Sequence, residues 1–124
     1  MTNSRISLSD RTRSFSKDIL LFCAGEKLTI INKSLIDQLI RSATSIGANY
    51  AEANNAASKA DFRNKIFIAK KEAAETKYWL EVLRDITADK TTCEKLTQEC
   101  HYILMTLQKI VNTLNGKQIN DSAR

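Results

Sequence analysis

The sequence predicts an all-α fold, an antiparallel up-down-up-down four-helix bundle, and three observations carry that prediction. The 124 residues include no proline and three glycines, too few turn formers for an all-β or loop-rich chain. Four segments repeat apolar residues at alternating spacings of three and four, which marks a helix with one buried seam. The connectors are short, so consecutive helices must run antiparallel, and seven-residue seams favour shallow crossing angles. A chain this long can bury a core without staples and is read as one domain over 1–124, with 1–8 and 117–124 as flexible tails.

The first helix is expected to start near Ser9 or Asp10, to carry Phe15, Ile19, Phe22 and Cys23, and to stop at Gly25 in the left-handed position that glycine favours. The second runs from an N-cap at Asn32 or Ser34 to about Asn54, with Ile36, Leu39, Ala43, Ile46, Tyr50 and Ala53 as its seam. Ser58 with Asp61 forms a capping-box-like start for the third, whose seam Phe62, Ile66, Ala69, Ala73, Thr76, Leu80 and Leu83 reaches about Thr87. Thr91 with Glu94 repeats the signal before the fourth, which carries Leu96, Cys100, Ile103, Leu107, Ile110 and Leu114 and ends at Asn115 and Gly116.

The stretch SATSIGANYAEA, Ser42 to Ala53, puts small residues and Gly47 at the centre of the second helix. Glycine there sacrifices about 1 kcal/mol of helix propensity relative to alanine, so the stretch is either a solvated back or a face for close backbone approach. Arg41, Ser45, Asn49 and Glu52 form a polar row opposite the seam. On the third helix Ile68, Glu75, Trp79, Val82 and Ile86 gather on a face separate from its seam. A Trp and three aliphatics outside the seam point to a widened core or a self-association surface, and self-association is the favoured reading. Together these nine residues are the candidate oligomer interface, in which a buried Glu75 would need a basic or amide partner.

Charge supplies the other candidate. Lys and Arg number 19 against 14 Asp and Glu, a formal charge of +5, and the pI is near 9.2, which tilts the chain toward acidic partners such as nucleic acid. Arg63, Lys70, Lys77 and Arg84 recur every seven residues along one flank of the third helix, with Lys59 near its start and Lys71 farther round. Such a stripe either pairs with carboxylates of the neighbouring helix or contacts phosphates. Lys71 with Glu75 and Lys77 with Glu81 can also form i, i+4 pairs. No aromatic-rich single-strand platform is read among these charges, so binding is expected to be directed at the backbone and sensitive to salt.

The run RSATSIGANYAEA (Arg41 to Ala53), followed by SKADFRNKIFIAKKEAAETKYWLEVL (Ser58 to Leu83), resembles the bacterial four-helix-bundle proteins associated with intervening sequences in large-subunit ribosomal RNA genes. The family pattern R-S-x-x-S-I-x-x-N-x-A-E-A, then D-F-x-x-K-x-x-I-A-x-K-E-A-x-E-T-x-Y-W-L, is met at nearly every position. The resemblance implies a four-helix bundle that assembles into a homo-oligomer, with ring-shaped pentamers known in the family. By analogy with a basic pentameric accessory protein of diversity-generating retroelements, which works with a reverse transcriptase and nucleic acid, the resemblance also implies RNA or DNA as a partner. Arg41, Ser45, Asn49, Glu52, Glu72, Glu75, Tyr78 and Trp79 match the signature, which is as suited to encoding assembly as ligand contact.

Enzyme chemistry finds little footing. His101 adjoins Cys100, but neighbours in a helix point about 100° apart and cannot form a nucleophile–base pair. Glu72 and Glu75 lack the histidines of a bundle di-iron site, and no glycine-rich loop follows a strand. No catalytic residue, metal or cofactor is therefore expected. Cys23, Cys93 and Cys100 have no C-x-x-C spacing and read as reduced thiols. No apolar run would span a bilayer, so the expected location is cytoplasmic, away from membranes. The leading expectation is a non-enzymatic oligomer that binds RNA or another nucleic acid through basic charge. The alternative is a structural or protein-interaction module without nucleic-acid binding.

Overall fold

The computed structural model describes residues 6–122, with side chains described through Gly116. Its elements are α1 (Leu8–Ala24), α2 (Lys33–Asn54), α3 (Lys59–Arg84) and α4 (Lys90–Ser122). Each helix packs on its two neighbours, α1 on α2, α2 on α3, α3 on α4 and α4 back on α1. That is the antiparallel four-helix bundle the spacing predicts.

The helix starts follow capping chemistry, in places shifted from the expected residues. Ser7 accepts a 3.0 Å hydrogen bond from the Asp10 amide, so α1 opens one to two residues before Ser9 or Asp10. Asn32 precedes α2 without a side-chain cap bond; its side chain and Thr29 instead exchange hydrogen bonds with each other's backbone amides. Ser58 caps α3 through the Asp61 amide at 3.0 Å, as the motif predicts. For α4 the capping group is Asp89, which accepts from the Thr92 amide at 3.2 Å, rather than Thr91. A carboxylate is the better cap at the positive end of a helix, and hydrogen bonds from Thr92 hold Asp89 below its usual pKa.

The ends differ more. Gly25 has φ −84° and ψ −8°, an ordinary right-handed conformation, because its amide closes a 3.1 Å bond to the Phe22 carbonyl and the helix tightens without a left-handed residue. Helix α3 stops at Arg84, about three residues before the expected Thr87. At the far end α4 passes through Asn115 and Gly116 to Ser122; Gly116 is not in the left-handed region, so it does not terminate the helix. Of the tails expected at 1–8 and 117–124, residues 1–5, 123 and 124 lie outside the described residues. Ser7 and Leu8 belong to the start of α1, and the backbone of 117–122 continues α4.

The core is filled from all four helices by Phe15 and Ile19, Leu39 and Ile46, Ile66 and Leu80, and Ile103 and Leu107, all at most 1% exposed. The seam Ala69, Ala73 and Thr76 is fully buried with them. A polar pair crosses the α2–α3 seam: Thr76 donates to Ser42 Oγ at 2.9 Å, and it also lies 2.7 Å from its own Glu72 carbonyl. Ser42 in turn reaches the Leu39 carbonyl, so neither buried hydroxyl lacks a partner.

Gly47 explains the small-residue stretch. A β-carbon built there would lie 3.3 Å from Thr12 Oγ1 and 3.4 Å from Thr12 Cβ, on the face where α1 crosses. Thr12 is 2% exposed, so α1 uses the space that any larger residue would occupy. Ala48 and Ala51 line the same α1–α2 groove with Ser9, Arg13 and Ser16. The close approach therefore serves the chain's own first helix. On its other side α1 is tied to α4 by Arg11, whose guanidinium grips Glu99 at 2.6 and 3.0 Å and lies 3.9 Å from the Tyr102 ring centroid.

Candidate nucleic-acid interface

The two faces singled out on α3 lie on opposite sides of its seam. The side toward α2 holds a charged cluster. Arg41 of α2 donates to Glu72 at 3.0 Å and to Glu75, and the Trp79 indole donates to Glu75 at 3.1 Å. These hydrogen bonds, that to Glu72 foremost, raise the Arg41 pKa above its usual value. Glu75 thus has both a basic partner and an indole, which supplies the partner its burial requires. Farther along, Glu52 pairs with Lys65 at 3.2 Å. Ser45 and Asn49 turn back onto α2, to the carbonyls of Arg41 and Ser45, each at 2.8 Å. Much of the family-like polar signature is therefore joined within one chain. Its apolar part is less covered: Ile68 and Trp79 are half-buried, Val82 is 37% exposed and Ile86 56%.

The side toward α4 carries the basic stripe. At 1.5 Å per residue, Arg63, Lys70, Lys77 and Arg84 are about 10 Å apart and span about 32 Å. Arg63, Lys70 and Lys77 are half-buried, which lays their stems against the surface, while Lys59, Lys71 and Arg84 are exposed. The neighbouring helix gives this stripe little acid. Residues 100–116 of α4 contain no Asp or Glu, and where Lys77 reaches across, it meets His101 Nδ1 at 3.2 Å. The carboxylates Glu72 and Glu75 turn to α2 instead. That also removes the expected Lys71–Glu75 pair, and Lys77–Glu81 does not form among the described residues. Arg84 lies 4.0 Å from Asp85 at the helix end. The outcome is a flank of predominantly positive sign as far as Lys77, beyond which Glu81 and Asp85 join Arg84.

Two rings on this helix stand outside both candidate faces, and of them only Tyr78 entered the sequence reading, as a match to the family signature. Phe67 and Tyr78 belong to no seam, and both rings are exposed, 38% and 57%. The signal was present in the helical angle, which places them between the basic stripe and the outer surface. A second omission lies in the connector between α1 and α2, where Leu28, Ile30 and Ile31 are 58%, 99% and 86% exposed. They sit at the bundle end that also carries Ile86.

The thiols and His101 do not converge on a reactive site. Cys100 points inward, its Sγ 3.3 Å from the Ala73 carbonyl, while His101 lies on the outer flank with Lys77. Burial pushes Cys100 up to about 12 and Cys23 and Cys93 up to about 11, so all three are protonated and poorly nucleophilic at neutral pH. Among the described residues no three His, Cys, Asp or Glu side chains come together in a way that could hold a metal. Nor is any described helix long and apolar enough to cross a membrane.

With the helices and both faces placed, comparison with known proteins fixes the lineage. The family model described as 23S rRNA-intervening sequence protein matches residues 6–109, which takes in the α2–α3 polar cluster and the whole basic stripe. The chain belongs to this family. A solved structure of a protein of unknown function from the S23 ribosomal protein family of Bacteroides thetaiotaomicron is 36% identical, with a TM-score of 0.71 over 85% of this chain and 98% of that one. No curated protein matches. In this chain the RSATSIGANYAEA segment has a physical role, since it supplies Arg41 to α3 and Gly47 to α1.

Proposed function

We propose that this protein is a non-enzymatic, cytoplasmic homo-oligomer that binds RNA or another nucleic acid through the basic flank of α3. The observation that carries the reading is the absence of carboxylates among residues 100–116 of α4, the part of that helix that lies opposite Lys70 and Lys77. A row of cations with few acids to neutralise it leaves a field directed outward, and phosphates are its natural complement. Arg63, Lys70, Lys77 and Arg84 make the main backbone contacts, and Lys59 and Lys71 extend them. Self-association, with a pentamer as the assembly the family resemblance favours, would repeat the flank and strengthen its attraction for polyanions. It would use the Arg41, Ser45, Asn49 and Glu52 row with Ile68, Glu75, Trp79, Val82 and Ile86. The non-enzymatic reading is supported by the inward-facing Cys100 and by the pairing of His101 with a lysine.

Fluorescence anisotropy of the full chain against labelled structured RNA and duplex DNA tests this reading. Four phosphate contacts give a log–log salt slope of about −3 to −4, from 0.7–0.9 counterions released per contact. Absence of binding at 50 mM salt would overturn the reading.

A second reading, a protein-interaction module, is favoured by one observation: Leu28, Ile30 and Ile31 expose aliphatic side chains at the same end as Ile86. A defined protein retained after nuclease treatment, together with no nucleic-acid binding, would favour it.

A further inference from the structure

We infer that the outer flank of α3 receives single-stranded nucleic acid, with unpaired bases stacking on Phe67 and Tyr78 while Lys70, Lys71 and Lys77 meet the phosphates. This deepens the nucleic-acid reading above and rests on it. At 100° per residue Phe67, Lys71, Ala74 and Tyr78 fall in one row with spacings of four, three and four, and Lys70 and Lys77 fall in the row beside it. The two rings are thus separated by about 16 Å along the helix, at 1.5 Å per residue, which is too far for one base and suits two. Ala74 keeps the surface low between them.

Tyr78 is also held in place. Its ring packs edge to face on Trp79, with centroids 5.1 Å apart and planes at 68°. Trp79 is itself fixed by its bond to Glu75 and by packing on the core. A ring mounted in this way loses little side-chain freedom when a base stacks on it.

The chemistry of the surroundings selects the occupant. An apolar protein segment would have to lie across Lys70, Lys71 and Lys77, and among the described residues Lys70 and Lys71 have no carboxylate partner to neutralise them. A partner with both negative charge and flat aromatic faces satisfies rings and lysines together. In a duplex the base faces are already covered by their neighbours, so the rings would gain nothing there. In a single strand, base–aromatic stacking adds affinity without demanding a sequence.

The test uses the full chain and a labelled RNA strand of about 12 nucleotides, within the usual site size, offered alone, annealed to its complement, and as the DNA equivalent. The single strand is expected to bind about tenfold or more tighter than the duplex, whether RNA or DNA. Phe67→Leu with Tyr78→Leu is expected to remove that preference and leave the salt slope in place, and Tyr78→Phe, which keeps a ring, to bind like the native chain. Equal affinity for single strand and duplex, unchanged in the double variant but still salt-dependent, would overturn the stacking assignment and leave the backbone-binding reading standing. Failure of the native chain to bind any of the three would overturn both. A change of particle mass in the double variant would assign the rings to subunit contact and overturn the stacking assignment.

Discussion

Replacing Arg63, Lys70, Lys77 and Arg84 together with glutamate is expected to abolish nucleic-acid binding at physiological salt. The four contacts set a slope of about −3 to −4, so raising salt from 50 to 200 mM already weakens the native complex about a hundredfold. Each reversal changes the charge by two, taking the formal charge of the chain from +5 to −3, and the long-range attraction becomes repulsion. The fold should survive, because all four sites lie within α3 and glutamate is a good helix former. Arg63, Lys70 and Lys77 also bury part of their stems, so the corresponding glutamine variant, with no charge and a similar stem, separates lost packing from lost charge. Glutamine at the four sites should flatten the slope to the one or two contacts that Lys59 and Lys71 keep, without changing the helical circular dichroism. An unaltered slope in either variant would place the contact elsewhere.

Gly47→Leu is expected to destabilise the bundle by about 1–3 kcal/mol, the usual cost of forcing extra methylenes into a packed site. The sign is informative because helix propensity alone predicts the opposite. Leucine at a helix centre is favoured over glycine by almost 1 kcal/mol, and nothing in the local sequence forbids it. The cost comes from α1. A β-carbon at this position already lies 3.3 Å from Thr12 Oγ1 and 3.6 Å from the Thr12 backbone carbonyl carbon, so a longer side chain must push the α1 backbone off α2. Gly116→Ala is the matched control. No atom outside the local helix lies within 4 Å of a β-carbon there, and the helix continues through it, so alanine should stabilise by about 1 kcal/mol. Urea denaturation of both variants checks the pair. A stabilised Gly47→Leu protein would mean that α1 does not pack as described.

The fold was largely legible because one periodicity specifies it. Of the seam Phe62, Ile66, Ala69, Ala73, Thr76, Leu80 and Leu83, every residue is buried except Phe62, which is half-buried at the start of the helix. Helix ends were less legible, since they depend on which of several capping side chains engages. Ser7 and Asp89 prevailed over Ser9 and Thr91 by hydrogen bonds that spacing alone does not rank. Gly116 illustrates the converse: glycine permits a stop but does not compel one.

The candidate site was legible in its charges and not in its partners. The seven-residue recurrence placed the basic stripe on a flank of α3. Whether the neighbour would neutralise it depended on which way Glu72 and Glu75 turn, and Arg41 of α2 decides that from 31 and 34 residues away in sequence. Small residues read as a second contact surface proved in part to be the seat of α1, because a sequence reports that a face is short and not which helix fills it. Phe67 was missed, and Tyr78 was read only as a match to the family signature, for a related reason. A ring off the seam is unremarkable until its exposure is known.

Lysine footprinting by acetylation and mass spectrometry, with and without saturating structured RNA, tests the central claim most directly. The account predicts that Lys59, Lys70, Lys71 and Lys77 are protected in the complex while Lys17 and Lys27, on α1 and the α1–α2 connector, react as in the free protein. Protection confined to Lys17 and Lys27, or spread evenly over all six lysines, would contradict it.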